Sequence, residues 1–341
     1  MPSLRALLLL VVIGLLALPA AASARTLKIA TVVPEGSAWM KEMRQVGKEI
    51  AKKTDGRVRF KFYPGGVMGN DKTVLRKIRA GQLQGGAFTS GALAGLYPDI
   101  DLYGLPLLFR DDEEVGYVRE RLDGELIAGL ERKGFTALAI TDGGFAYLMS
   151  QRPVRQVSDL GGAKIWTQEG DVMSATALEI AGVAPVPLPL ADVYTALQTG
   201  LVDTVGAPAM GAIALQWHTK VKYLTDVPLT YLTGAFVIDG EVFAKLTPED
   251  QRVVRETVRT AAQRLDAGSR EGERSAKRAL KEQGIQFVTA STPAEQQRWH
   301  EITREALVRL RKRQIYSDAL IDEIQRLLAE YRAGGRTERG G

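Results

Sequence analysis

His218 and His300 are the only imidazoles in a chain of 341 residues that has no cysteine. The two histidines are far apart and in no metal-ligand spacing. A chain without thiols has no cysteine nucleophile, no disulfide framework and no thiolate metal site. Carboxylate pairs such as Asp-x-x-Asp occur, but two carboxyls work as an acid–base couple only at a set separation in space. There is no G-x-S-x-G elbow, no Walker phosphate loop and no H-E-x-x-H zinc motif. Gly65-Gly66 followed by Gly69 does not fit the G-x-G-x-x-G dinucleotide pattern and reads as a turn that needs positive φ. These residues point away from an enzyme and toward a protein that binds without turnover.

The N-terminus carries an address. Arg5 precedes an apolar run from Leu7 to Leu18, Pro19 breaks it, and Ala22-Ser23-Ala24 fits a signal-peptidase site. Residues 1–24 are therefore expected to be a signal peptide that directs the chain to the periplasm. The run is too short to cross about 30 Å of hydrocarbon, so no membrane insertion is expected after cleavage. Without cysteine no lipoprotein anchor can form. The remaining stretch of about 317 residues suits two domains. The formal net charge is +5, with both signs interleaved along the chain. That pattern lacks the basic stripe of a nucleic-acid binder.

The elements alternate. Leu27–Val33 reads as a strand, and Ser37 can cap a helix from Ala38 to about Thr54 whose apolar face includes Trp39, Met43, Val46 and Ile50. A strand over Val58–Tyr63, a helix over Lys72–Ala80 and a strand over Gly85–Thr89 follow. This spacing predicts an α/β chain with a parallel sheet. A helix is expected over Asp112–Lys133, strands over Phe135–Ile140 and Phe145–Ser150, and a returning strand over Leu232–Ile238. From Pro248 to about Gly284 the pattern is one very long helix, interrupted at Gly268 and Gly272. About 35 residues would span roughly 50 Å, more than one small domain, so this helix is expected to run along both. The resulting layout is residues 25–143 plus 232–271 as one domain and 144–231 plus 272–299 as the other. Helices over 300–333 pack outside, and 334–341 form a flexible tail.

The residues from Asp159 to Pro208, DLGGAKIWTQEGDVMSATALEIAGVAPVPLPLADVYTALQTGLVDTVGAP, read as turn, short strand, helix, Pro-punctuated strand and helix. This order resembles the signature segment of substrate-binding proteins of tripartite ATP-independent periplasmic (TRAP) transporters, DctP type. LKIATVVPEGS, GRVRFKFYPGGVMGNDKTVLRKIRAGQL, YPDIDLYGLPLLF and VFAKLTPEDQRVV extend the resemblance from Leu27 to about Arg332. It implies two α/β domains around a ligand cleft and no cofactor. It also implies capture of a small organic solute, with small and large membrane permease subunits as partners.

The chain departs from that family pattern at polar positions. The arginine that would clamp a ligand carboxylate corresponds to Trp166, a basic position in the crossover strand to Ala146, and an asparagine to Ala207. A glutamate in the second unit corresponds to Arg76. Tryptophan offers one N–H and a large apolar face in place of a bidentate fork. The resemblance then implies a pocket for a less acidic or more apolar ligand. Trp166, Trp39, Phe88, Phe145, Tyr147 and Met210 would line it, and Thr89, Ser90, Gln168 and Asn70 would supply hydrogen bonds. Other readings stay open. Arg76 could take over the carboxylate, or a metal could bridge to it through Gln168, Glu169 or Asp171. A cation could sit on the Trp166 ring, or the receptor could feed a membrane sensor.

Overall fold

A computed structural model describes residues 24–289 and 292–338. The expected signal segment lies outside these residues except for Ala24, as do residues 339–341 of the expected tail. β1 (Arg25–Thr31) leads to α1 (Ala38–Lys53), whose first turn is closed by Ser37 accepting a hydrogen bond from the Met40 amide. β2 (Val58–Tyr63), α2 (Asp71–Arg79), β3 (Gly85–Thr89) and the short α3 (Ser90–Leu93) follow. A 3-10 turn over Pro98–Gly104 then leads to α4 (Asp112–Arg132). β4 (Phe135–Ser150) leaves this unit for the next, which contains β5 (Trp166–Gln168), α5 (Val172–Ile180), β6 (Val186–Leu188) and α6 (Val193–Thr199). β7 (Thr204–Ala207) and α7 (Ala209–Ala214) complete it, and β8 (Tyr223–Asp239) returns. The chain ends with α8 (Gly240–Ala244), α9 (Pro248–Glu282), β9 (Gln286–Val288), α10 (Pro293–Lys312) and α11 (Asp318–Glu338).

β1 pairs in parallel with β2 and β3, as the alternating pattern predicts. The rest of the main sheet, ordered β2-β1-β3-β8-β4-β7 with β9 on β8, corrects the expected parallel sheet to a mixed one. β3 and β4 join β8 antiparallel, and β7 joins β4 antiparallel. The two expected strands at 135–140 and 145–150 are one strand, and the returning strand begins at Tyr223 instead of Leu232. β4 and β8 run side by side along their whole lengths, with register shifts at Asp142/Gly144 and Ala146/Leu148. Their hydrogen bonds carry pairing through a Thr-Asp-Gly-Gly stretch that looks like a break when read alone. Gly144 takes φ +85° there.

α9 is 35 residues long, so at 1.5 Å per residue it reaches roughly 52 Å. Pro248 starts it and Thr247 caps it by accepting from the Asp250 amide. Its first half buries Val253, Val254, Val258, Ala261 and Ala262; its second half buries Ala276 and Leu280. Gly268 and Gly272 do not interrupt it. A Cβ on Gly272 would stand 2.6 Å from the Met210 sulfur, so the missing side chain is what lets α7 approach the helix.

One face of the sheet carries a core around Leu27, Ile29, Met40, Val46, Phe236 and Val254, against which Trp39 packs. A larger core covers the other face and continues under the β5–β6 pair, from Phe88 and Tyr103 through Phe145 to Val205 and Trp217. α10 packs beside α5 and α11 beside α4, and Leu310, Leu320, Ile324 and Leu327 are fully part of the larger core. The last helix continues through the expected stop at Ala333 to Glu338. No helix among the described residues is long and apolar enough to cross a membrane.

Candidate functional site

Asn70 caps α2 by accepting from the Thr73 amide. The α2 helix that follows presents Asp71, Lys72, Leu75, Arg76 and Arg79 to a cavity of about 400 Å³. Gly91, Ala92 and Leu96 add a second wall from α3 and its exit. The far wall is Gln168, Glu169, Gly170 and Pro189, from the ends of the β5–β6 pair. The cavity therefore lies where the β1–β3 unit meets the β5–β7 unit.

Side chains cross this gap. The Thr89 hydroxyl donates to Gln168 Oε1 at 2.9 Å, and Gln168 Nε2 lies 3.5 Å from Asp71 Oδ2. Lys72 pairs with Glu169 at 3.6 Å. A Cβ on Gly66 would touch Ala191 at 4.0 Å. Together these contacts describe a shut cleft. Burial pushes the Asp71 carboxyl up to about 6. Arg76 bonds only sideways, to the Thr73 hydroxyl at 3.1 Å, and neither it nor Arg79 meets a carboxylate among the described residues.

Of the eleven site residues expected from the sequence, Asn70, Arg76 and Gln168 line this cavity, Thr89 is bonded to Gln168, and Ser90 is buried and bonded to Asp101. Trp166 stands behind the far wall. Its indole N–H donates to the Leu188 carbonyl at 3.0 Å, and its ring meets Trp217 edge to face at 5.2 Å. The Glu169 amide donates to the same carbonyl. Trp166 thus braces Leu188-Pro189 and has no N–H left for a ligand. Phe88, Phe145 and Tyr147 are all buried in the larger core. Phe145 packs edge to face on Tyr231, and Lys277 of α9 sits over the Tyr147 ring at 3.6 Å. Trp39 belongs to the core on the opposite face. Met210 is 38% exposed and lies against Gly272, away from these residues.

The sequence reading passed over Asp71, Lys72 and Arg79 as site residues. Their only signal was position, one helical turn either side of Arg76. The oxygen set weighed for a bridging metal is committed elsewhere: Gln168 Oε1 accepts from Thr89, and Asp171 caps α5 by accepting from the Ser174 amide. No group of three or more His, Asp or Glu among the described residues could hold a metal ion.

A two-unit mixed sheet crossed by β4, β8 and α9, with a cavity between the units, matches a known architecture. The family model for bacterial extracellular solute-binding protein family 7, DctP, fits residues 29–314. The chain belongs to this family. It is a solute-binding protein of the TRAP type, with two α/β domains and the ligand cleft between them. The 2,3-diketo-L-gulonate-binding periplasmic protein YiaO of Escherichia coli K12 is 29% identical over 70% of this chain and 74% of its own length. The C4-dicarboxylate-binding periplasmic protein DctP of Rhodobacter capsulatus is 26% identical over 84% and 86%. The sugar acid binding protein DctPAm of Advenella mimigardefordensis, solved in complex with galactonate, superposes with a TM-score of 0.84. That match covers 90% of this chain and 99% of the other at 19% identity, which speaks for the fold alone.

Proposed function

We propose that this protein captures a small organic acid in the periplasm and delivers it to the small and large TRAP permease subunits. The signal segment at 1–24 and the division into 25–143 plus 232–271 and 144–231 plus 272–299 belong to the same reading. The observation that carries it is the cavity between the two units, where Arg76 and Arg79 have no carboxylate partner among the described residues. A guanidinium fork is suited to a carboxylate. Leu75, Ala92, Leu96 and Pro189 offer an apolar wall for the rest of the ligand, while Gln168 and Asn70 can orient hydroxyls. The relatives named for 2,3-diketo-L-gulonate and for C4-dicarboxylates support an organic acid as the class.

Trp166 makes the ligand less acidic than a dicarboxylate. Where the family resemblance leads one to expect a clamping arginine, this chain has a ring that braces the wall behind Pro189. The proposed ligand carries one carboxylate, held from α2, and an uncharged body. Phe88, Phe145 and Tyr147 stabilise the walls from behind, Trp39 packs on the opposite face of the sheet, and Met210 sits at the α7–α9 contact. Closure over the ligand is a population shift, favoured by contacts that exist only when Gln168 reaches Thr89 and Asp71.

Mass spectrometry of small molecules released from freshly purified protein identifies the bound compound. A monocarboxylate is expected. With that compound in hand, Trp166→Ala is expected to weaken binding by about 1–3 kcal/mol in calorimetry, because the Leu188-Pro189 wall loses the large ring that braces it from behind. An unchanged affinity would remove Trp166 from the binding apparatus. Micromolar binding of succinate or malate would contradict the ligand class.

A further inference from the structure

β2 is the outer strand of the main sheet. It pairs with β1 along Val58–Tyr63 and has no strand on its other side among the described residues. Such an edge offers backbone N–H and C=O groups to any extended chain laid beside it. A second cavity, of about 330 Å³, lies between α1 and β2 and shares no lining residue with the cleft. Its floor is apolar. Phe60 and Phe62 meet edge to face at 5.8 Å, and Phe60 does the same with Phe236 at 5.9 Å. Gly47 and Ala51 keep the helix side of the cavity low. A Cβ on Gly47 would already stand 3.4 Å from the Phe62 ring, so a longer side chain there would fill the space.

The rim of this cavity is cationic. Arg44, Lys48 and Arg59 line it. Arg44 is engaged by Glu35 at 2.7 Å. Arg59 bonds only to the Gly56 carbonyl, at 3.4 Å, and Lys48 meets no carboxylate among the described residues. From Glu35 to Tyr63 the chain has eight lysines and arginines against four glutamates and aspartates. All four acids are taken: Glu35 by Arg44, Glu42 by Arg264, Glu49 by Lys53 and Asp55 by Arg57. The surplus is therefore positive, and Lys48 and Arg59 place part of it at the cavity. A second copy of this edge would set cations against cations, which is how charged edge strands resist self-pairing. A strand bearing carboxylates meets no such barrier.

We propose that the free edge of β2 and the cavity beside it form a docking site for an extended acidic segment of another protein, one that alternates carboxylate and apolar side chains. The segment adds to the sheet as a strand beside β2, so main-chain hydrogen bonds give affinity and side chains give selectivity. Successive side chains of a strand face opposite sides. The apolar set covers Phe60 and Phe62, which pack toward α1. The acidic set meets Arg59 and Lys61, which are exposed on the other face. Lys48 adds its charge from the α1 side. The surface is separate from the cleft, so docking leaves the solute in place, and the proposal stands whatever the cleft holds.

Fluorescein-labelled peptides as long as β2, six residues, test this on the purified full chain by fluorescence anisotropy. One peptide alternates glutamate with valine. A second has lysine in place of glutamate. A third has a central proline, which removes a ladder N–H. The glutamate peptide is expected to bind with a Kd below about 1 mM, less well as salt rises, and the other two are expected not to bind. Lys48→Glu with Arg59→Glu should weaken it by at least about tenfold. Lys41→Glu with Lys52→Glu makes the same charge change on exposed residues outside the cavity and should weaken it less than about threefold. Hydrogen exchange should slow at the β2 amides when the peptide binds. No binding, equal binding of the proline peptide, or equal losses in the two double variants would overturn the proposal. So would protection at Lys72–Arg79 in place of β2, which would put the peptide in the cleft. Self-association of the free chain that protects β2 would assign the edge to a second copy and overturn it too. Each of these results leaves the solute-receptor reading intact.

Discussion

Trp217→Ala is expected to lower the folding stability by about 3–5 kcal/mol, the cost of removing a large aromatic from a packed core. Trp217 is 2% exposed and ranks among the largest fully buried side chains of the protein. It begins the short turn over Trp217–Lys220 and shares its core with Val193, Leu197, Val202 and Val205. Its ring also supports Trp166 edge to face, at 74° between planes. An edge-to-face pair adds about 0.5–1.5 kcal/mol beyond area burial, so the loss should fall on both rings. Urea unfolding followed by tryptophan fluorescence measures it. A loss below about 1 kcal/mol would mean that the cavity collapses and that Trp166 does not depend on this neighbour.

Arg332→Met is expected to cost about 2–3 kcal/mol, less than a fully buried pair because Arg332 keeps some access to water. Arg332 in α11 donates to both oxygens of Glu114 at 2.7 Å and to the Leu108 carbonyl at 2.9 Å. Glu114 in α4 is only 2% exposed, so removing Arg332 leaves a buried carboxylate with the Arg110 amide at 2.9 Å and its guanidinium at 4.0 Å as weaker partners. Burial raises the Glu114 carboxyl, but the Arg332 bonds, the Arg110 amide and the charges of both arginines together lower it more, leaving it below its usual range. A depressed folded-state value contributes stability that is present above the unfolded value of about 4.3 and lost as pH falls through the folded one. Arg332→Met should therefore be less sensitive to acid than the unsubstituted chain between about pH 5 and pH 3. Thermal unfolding at several pH values checks both parts. Equal acid sensitivity would mean that the pair contributes nothing to the attachment of α11.

Much of this fold is readable because local rules and tertiary packing agree. Ser37, Gly56 and the spacing Met43, Val46, Ile50 mark α1, and the observed helix ends within one residue of the expected stop. Pro248 marks the start of α9 in the same way. Strand direction is different. Nothing in the pattern of Phe135–Ser150 says that it pairs antiparallel, or that pairing continues through Asp142 and Gly144, because the partner is Tyr223–Asp239. The site divides along the same line. Arg76 and Gln168 could be named from their own segments, and both reach the cavity. The task of Trp166 could not, because its N–H partner depends on how β5 registers with β6. Asp71 reads as an ordinary first-turn carboxylate; only the approach of Gln168 from the other unit makes it a cleft residue.

The most direct test of the account is a thermal-shift comparison of the unsubstituted chain and Arg76→Gln across a panel of mono- and dicarboxylic acids, including sugar acids. A ligand present at about 1,000 times its dissociation constant stabilises the folded chain by about 4.1 kcal/mol, well within the reach of the method. The account predicts that at least one monocarboxylate raises the unfolding temperature of the unsubstituted chain and that Arg76→Gln removes most of the rise. A panel in which no carboxylate has an effect, or in which Arg76→Gln responds as fully as the unsubstituted chain, would contradict it.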